Sequence, residues 1–372
     1  MTLAKFDIID LDITSLAYGG MGVSHYNDIV VFVKGGIPGE KVKGRIYKKK
    51  KNYYEADIVE KIKISDSEVE PRCDHFGVCG GCSFQNLDYK VQLSEKYNQI
   101  KDLFIRIGKI KNPPIKKIIG STNEYNYRNK MEFSYSSNRW KLNLDEKSME
   151  DCKHALGLHV KGRYDKIVDV GDCHINGELA NKIYKFLKKC LFEKNIEPFN
   201  AKEKTGFLRN IIIREGQLTE QILINFITTS SNAEVLNPII KLLTKEYPQI
   251  KSIINTIVKP NSHSSIGEEE KILWGDDFII EKIDKLEYKI SSNSFFQTNS
   301  KQLKILYNQI IKCSEFKGNE ILYDLYCGTG SIGIFLAQYV RKVYGVEVVT
   351  SAVIDAIENA NNNDIKNIEF FN

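Results

Sequence analysis

Cys73-x5-Cys79-Gly-Gly-Cys82 places three thiols within ten residues, and thiolates at that spacing can share one metal centre. The Cys79 to Cys82 loop is tight, and its two glycines let backbone N–H groups turn toward sulfur. A zinc ribbon would call for a second Cys-x2-Cys, which the chain lacks. Three clustered Cys with one distant partner suit an iron-sulfur cluster better than three unrelated buried thiols. The fourth ligand must come from Cys152, Cys173, Cys190, Cys313 or Cys327, and spacing does not choose among them. Cys190 falls in the amphipathic stretch 179–191 and reads as core. Cys327 sits in a glycine loop with another task.

That glycine loop is the second chemical feature. Ile321-Leu322-Tyr323-Asp324-Leu325-Tyr326 reads as an apolar strand, followed by Cys327-Gly328-Thr329-Gly330-Ser331-Ile332-Gly333, a helix over 334–339, and a strand over 342–346 closed by Glu347. This is a βαβ nucleotide-binding start, in which glycines admit a ligand to the backbone and the closing carboxylate accepts ribose hydroxyls. Gly-x-Gly-x-x-Gly alone would equally fit a nicotinamide enzyme. Two features favour S-adenosylmethionine instead. Asp324 precedes the loop, where a pyrophosphate seat calls for no acid, and the polar-aromatic run Ser292-Asn293-Ser294-Phe295-Phe296-Gln297-Thr298-Asn299 suits the amino-acid end of that cofactor.

A third feature is charge. Residues 41–63 hold nine Lys or Arg against Glu55, Asp57 and Glu60. A solvated hairpin face is the plain reading, but the run lies among short β-branched strands at 8–13, 29–33, 41–47 and 53–62, separated by Gly19-Gly20-Met21-Gly22, Gly35-Gly36 and Pro38-Gly39. Such a module predicts a small OB-type β-barrel whose basic face binds single-stranded nucleic acid, with Lys48 to Lys51 as charge and Tyr53-Tyr54 as stacking rings.

Between these features, apolar residues at Leu93, Tyr97, Ile100, Phe104 and Ile107 predict one amphipathic helix over 86–107. From 125 to 258 the chain alternates strand-like and helix-like pieces. Residues 208–214 and 221–228 flank Glu215-Gly216-Gln217 as a hairpin, helices are expected over 178–192 and 232–246, and the basic, aromatic run Tyr127 to Phe133 reads as a plain strand with a charged face. This is a mixed α+β domain beside the Cys cluster. At 372 residues the chain is long enough for two or three domains, and 42% hydrophobic with 27% charged residues is a globular balance. No window supplies 18 uncharged apolar residues, and MTLAKFDIID lacks a basic region leading into an apolar one, so a cytoplasmic protein without a membrane partner is expected. Eight Cys in this length make no disulfide framework.

Taken together, these motifs resemble the RNA uracil-5-methyltransferases, in particular the iron-sulfur branch acting on 23S ribosomal RNA, and the resemblance covers the whole chain. Residues 1–63 look like that family's TRAM domain, the Cys73, Cys79, Cys82 run like its [4Fe-4S] motif, and 294–299 with 324–330 like its cofactor motifs. A radical enzyme with a TRAM domain would show Cys-x3-Cys-x2-Cys, which is absent. The resemblance implies an OB-type TRAM barrel, a central α+β domain over 64–290 with the cluster (its helix 86–107 packing on the methyltransferase domain), and over 291–372 the start of a Rossmann-like methyltransferase domain. Because its fourth ligand follows an Ile-Val-Asp-hydrophobic run, here Ile167-Val168-Asp169-Val170, it selects Cys173 over Cys152. It assigns Gln297, Tyr326, Gly328 and Glu347 to S-adenosylmethionine, and implies a monomer acting on 23S ribosomal RNA, with transfer RNA as the alternative substrate.

The family's nucleophilic Cys and general base Glu lie well beyond the second strand, whereas 44 residues follow Gly328 here, against the five to seven strands such a sheet uses. Both groups are therefore expected beyond Asn372, no residue of the chain is assigned as catalytic, and the sequence reads as a C-terminally truncated fragment that would not itself transfer a methyl group. In the complete enzyme the implied route is attack of the thiolate at uracil C6, methylation of the resulting enolate at C5, and removal of the C5 proton by the carboxylate, on a base first turned out of its stack. Two competing classes remain on the residues alone: a nicotinamide oxidoreductase, which needs no RNA-binding barrel, and a non-catalytic cluster-bearing RNA-binding protein.

Overall fold

The computed structural model describes residues 3–142, 154–262, 264–265, 267 and 269–372. Two compact units divide the chain, Met1–Thr122 and Asn123–Asn372.

In the first unit β1 (Ile8–Asp12), β2 (Ser15–Leu16), β3 (Met21–Tyr26), β4 (Ile29–Lys34), β5 (Lys41–Lys49) and β6 (Tyr53–Lys63) form one sheet in the order β1-β5-β6-β4-β3-β2. Period-two alternation turns Val31, Val33, Val42, Ile46, Tyr54 and Ala56 into a shared core with Leu11 and Ile13. The glycine cluster at 19–22 does not simply separate strands, because β3 already starts at Met21. A Cβ on Gly22 would lie 2.8 Å from the Gly36 carbonyl oxygen, so glycine there permits two backbones to approach. The expected stacking pair is corrected here. Tyr54 is a core residue at 2% exposure, and Tyr53 packs edge-on against Phe32 with centroids 5.3 Å apart. Helix α1 (Tyr89–Arg106) starts later than its apolar spacing indicates, because the Asp88 side chain accepts from the N–H groups of Lys90 and Val91 at 2.9 and 3.4 Å. Its contact with the sheet is both polar and apolar: buried Glu95 accepts the Leu16 N–H at 2.7 Å, and Val91 packs on the cluster of Leu16, Ile37 and Leu87. Ile100, Phe104 and Ile107 are exposed within the unit.

The second unit contains a seven-stranded sheet, β7 (Lys130–Ser136), β8 (Ala155–His159), β9 (Ile167–Asp169), β10 (Leu208–Glu215), β11 (Ile222–Thr228), β12 (Ile250–Ile257) and β13 (Glu269–Gly275), ordered β13-β12-β11-β10-β7-β8-β9. The β10–β11 hairpin forms around Glu215-Gly216-Gln217 as expected, and every residue of β11 is buried between β10 and its parallel neighbour β12. Helices α2 (Glu178–Glu193) and α3 (Asn237–Glu246) accompany the sheet. A hairpin of β14 (Phe278–Ile283) and β15 (Leu286–Ser291) leads to α4 (Ser300–Ser314). Then β16 (Ile321–Leu325), α5 (Ser331–Leu336), β17 (Lys342–Val346), α6 (Thr350–Asn362) and β18 (Ile368–Phe371) build a parallel three-stranded sheet. Its covered face holds Val343, Ile334, Phe335, Tyr307 and Tyr288 in one core. Among the described residues no helix is long and apolar enough to cross a membrane.

Candidate functional site

The loop after β16 owes its shape to unusual backbone torsions. Tyr326 sits at φ 61°, Gly328 at 54° and Gly330 at 76°, so the chain leaves the strand through left-handed conformations before α5 begins. Asp324 holds the far side of this turn. Its Oδ2 accepts the Gly333 N–H at 2.9 Å, and burial raises the carboxyl above its ordinary range. A Cβ on Gly333 would lie 3.0 Å from that oxygen, so the third glycine admits the acid rather than a ligand.

Glu347 closes the near side. Its Oε2 accepts the Gly328 N–H at 3.0 Å, and its Oε1 accepts the Val349 N–H at 3.0 Å. Each carboxylate oxygen has a second lone pair, so two hydroxyl donors can still be received. A Cβ on Gly328 would meet only the Phe295 carbonyl oxygen, at 3.7 Å, which leaves open space over the loop. Tyr326 and Phe295 are 88% and 68% exposed, two large rings standing free around a backbone cradle. Gln297 presents an exposed side chain two residues after Phe295, while its carbonyl is held by Asn129 Nδ2 at 2.9 Å. The fold thus brings Tyr326, Gly328 and Glu347 together and sets the backbone of the Gln297 segment beside them. Open backbone, a carboxylate and exposed rings fit a nucleoside with an amino-acid tail.

Sequence reasoning missed what fixes the Ser292 to Asn299 run. Arg214, on β10, is almost fully buried and donates to the Ser294 carbonyl; burial pushes its guanidinium down to about 10. Asp355 Oδ2, on α6, accepts the hydroxyls of Ser291 at 2.8 Å and Ser294 at 2.5 Å. The Asn129 N–H donates to the Thr298 carbonyl at 2.8 Å, and buried Asn359 donates to the Thr329 carbonyl at 3.2 Å. These residues lie far apart in the chain. The usable signal was an acid and an Asn four residues apart, at 355 and 359, on a helix face otherwise made of Ala352, Val353, Ala356 and Ala360.

Cys327 is 8% exposed, lies under the sheet beside Gly345, and burial pushes its thiol up to about 12. Burial at this position favours the neutral thiol over the thiolate. The three loop cysteines belong to the first unit. Gly81 donates its N–H to Cys79 Sγ at 3.4 Å, and Gln85 donates to Cys82 Sγ at 3.2 Å. Burial raises the thiols of Cys73 and, to about 11, Cys79. Such donor-flanked sulfurs suit a thiolate cluster in chemistry, yet among the described residues no three His, Cys, Asp or Glu side chains converge on a metal-sized site. Cys173 is buried in the second unit, where its N–H reaches Asn181 Oδ1 at 3.3 Å. Cys152 lies outside the described residues.

The sequence model for tRNA (uracil-5-)-methyltransferases matches residues 213–372, and that for TRAM domains matches 4–59. An RNA methyltransferase of Chlorobaculum tepidum is 35% identical over 99% of this chain and 77% of its own length, and one of Clostridium tetani is 35% identical over 98% and 76%. The crystal structure of a Pyrococcus abyssi tRNA (uracil-54, C5)-methyltransferase with S-adenosyl-L-homocysteine superposes with a TM-score of 0.73, at 26% identity over 97% of this chain and 79% of that one.

Proposed function

Since the chain belongs to the RNA uracil-5-methyltransferase family, with a TRAM domain ahead of the methyltransferase domain, we propose that it binds S-adenosylmethionine on the Gly328 loop for methylation at C5 of a uridine in 23S ribosomal RNA, in the cytoplasm and as a monomer. The single observation that carries the cofactor assignment is Glu347 seated on the Gly328 N–H with open space above. Glu347 receives the ribose hydroxyls, Gln297 pairs with the methionine amino or carboxyl group, and the Tyr326 ring lies along the adenosine. When bound, the cofactor supplies an electrophilic methyl group on sulfur. Calorimetry tests the site: Glu347→Gln exchanges a charged acceptor for a neutral one and is expected to weaken S-adenosylmethionine binding about tenfold to a hundredfold, with Gln297→Ala weakening it from the other end. Binding of NADH that depends on Glu347, without S-adenosylmethionine binding, would overturn the reading.

Transfer RNA is the second substrate reading, favoured by the Pyrococcus abyssi structure, whose enzyme acts on uracil 54 of tRNA. Affinities for a 23S ribosomal RNA fragment and a tRNA transcript, measured side by side, separate the two. We further propose that Cys73, Cys79, Cys82 and Cys173 are the thiolates of a [4Fe-4S] cluster, which the N–H···S donors of the Cys loop support. Protein purified without oxygen is then brown, with about four irons per chain, and loses its colour in Cys173→Ser but not in Cys152→Ser. Stoichiometric zinc without iron would refute the cluster.

A further inference from the structure

A cavity of about 490 Å³ opens on the β7, β8 and β10 part of the seven-stranded sheet and shares no residue with the cofactor loop. Its walls include His159, Tyr164, Phe199, Lys202, Lys204 and Arg209. The volume lies in the range that encloses a small organic ligand. Charge favours an anion, because the lining cations Lys202, Lys204 and Arg209 face one lining carboxylate, Asp165, which Arg163 already holds at 2.9 and 3.0 Å and Lys202 at 3.4 Å, leaving Lys204 and Arg209 outside any ion pair among the described residues. Glu132 is likewise engaged, accepting from Asn210 and Ser265.

The decisive group is Arg209. Its guanidinium carbon stands 5.3 Å from the centroid of the Phe199 ring, and its Nη1 is buried with no hydrogen-bond partner. A buried cationic N–H without an acceptor is costly, and a ligand oxygen that reached it would remove the cost. A guanidinium beside an aromatic ring also offers planar groups of the kind on which unstacked RNA bases lie. Tyr164, 74% exposed at the rim, supplies a second ring that no apolar core explains.

We infer that this cavity receives one unstacked nucleotide of the RNA substrate, its base on the Arg209–Phe199 platform beside Tyr164 and its phosphate on Lys204. The inference rests on the RNA methyltransferase reading and adds a second point of RNA capture, separate from the methyl-donor site. Phosphate alone or a free nucleotide shares the chemistry, and the test distinguishes them.

The full chain is mixed with a single-stranded RNA carrying 4-thiouridine, cross-linked by light, and mapped by mass spectrometry, while anisotropy gives RNA affinity and calorimetry gives S-adenosylmethionine affinity. Cross-links are expected in peptides spanning 159–164 and 199–209. Arg209→Ala is expected to weaken RNA binding tenfold or more and Arg209→Lys to restore it only in part, since Lys keeps the charge and loses the plane. Lys204→Ala and Tyr164→Ala, exposed and therefore tolerant positions, are expected to weaken it severalfold with S-adenosylmethionine binding unchanged. RNA affinity untouched in all four variants, with cross-links elsewhere, overturns the inference and leaves the family reading intact. Binding of uridine monophosphate or phosphate that Arg209→Ala abolishes while RNA affinity stays level would make this a small-anion pocket and also overturns it. Wild-type protein that binds S-adenosylmethionine but no RNA overturns both readings at once.

Discussion

Glu215 shows how far burial can move a single residue. It ends β10 at the hairpin turn, its Oε2 is buried without a hydrogen-bond partner, and burial pushes its carboxyl up to about 7, opposed by a hydrogen bond from the Ala180 N–H at the start of α2. A Cβ on Gly177 would fall 1.7 Å from that oxygen, so the helix can start there only because residue 177 is glycine. The folded chain therefore holds a proton that the unfolded chain releases near 4.5, the ordinary value for this carboxyl. Stability from this group is fully present below about 4.5 and is lost as pH rises through 7, a change of roughly 3 kcal/mol. His159 works the other way, because burial lowers its pKa and its share is lost as pH falls below the ordinary imidazole value. Glu215→Gln isolates the carboxyl: urea unfolding midpoints of the variant should exceed those of the wild type at pH 8 and converge with them near pH 5. Parallel pH profiles would show that Glu215 ionises freely in the folded protein.

At the scale of elements, a residue pair joins the central sheet to the cofactor loop. Arg214 from β10 and Asp355 from α6 hold Ser294 from its two sides, so the loop is fixed by elements formed long before and long after it in the chain. Asp355→Ala leaves two serine hydroxyls and a buried guanidinium without their acceptor or counter-charge, and should lower stability by about 2 to 4 kcal/mol in chemical unfolding while weakening S-adenosylmethionine binding. A variant as stable as the wild type would mean that the loop is held by its own turn alone. Local patterns were legible at this scale: β10, β11, α2, β16 and β17 lie where periodicity and glycines placed them, whereas α5 starts at Ser331 inside the glycine run, three residues before the expected 334, and Tyr326 has already left the strand. The anchors were not legible, since Asn129, Arg214 and Asp355 meet the loop across separations no local pattern records. Tyr54 was misread for a related reason. Its ring belongs to the alternating inward face of β6, and alternation gives the period of a strand without saying which face is covered.

For the whole molecule the net charge of +5 matters less than which cations are already committed. Within the basic run, Lys43 pairs with Glu60 at 2.8 Å, Lys48 with Glu55 at 2.6 Å, and Lys61 with both Glu40 and Glu68 at 2.5 Å. Lys49 is also engaged, donating to the Leu3 carbonyl at 2.9 Å. Lys50 and Lys51 stand exposed at the β5–β6 turn, without an ion pair among the described residues. The count of nine cations therefore overstated the contact surface, because cross-strand partners on a sheet neutralise one another in a way that a linear sequence hides. RNA affinity should fall as salt rises, since each phosphate neutralised releases condensed counterion. If Lys50 and Lys51 each meet a phosphate, Lys50→Ala with Lys51→Ala should flatten the plot of log affinity against log salt by about 1.4, the single-strand slope for two contacts. Lys43→Ala removes the same kind of charge from a pair already made and should leave the slope nearly unchanged, while freeing Glu60 to repel RNA weakly. Equal flattening by both changes would show that total charge governs binding; no flattening by either would confine RNA contact to other surfaces of the chain.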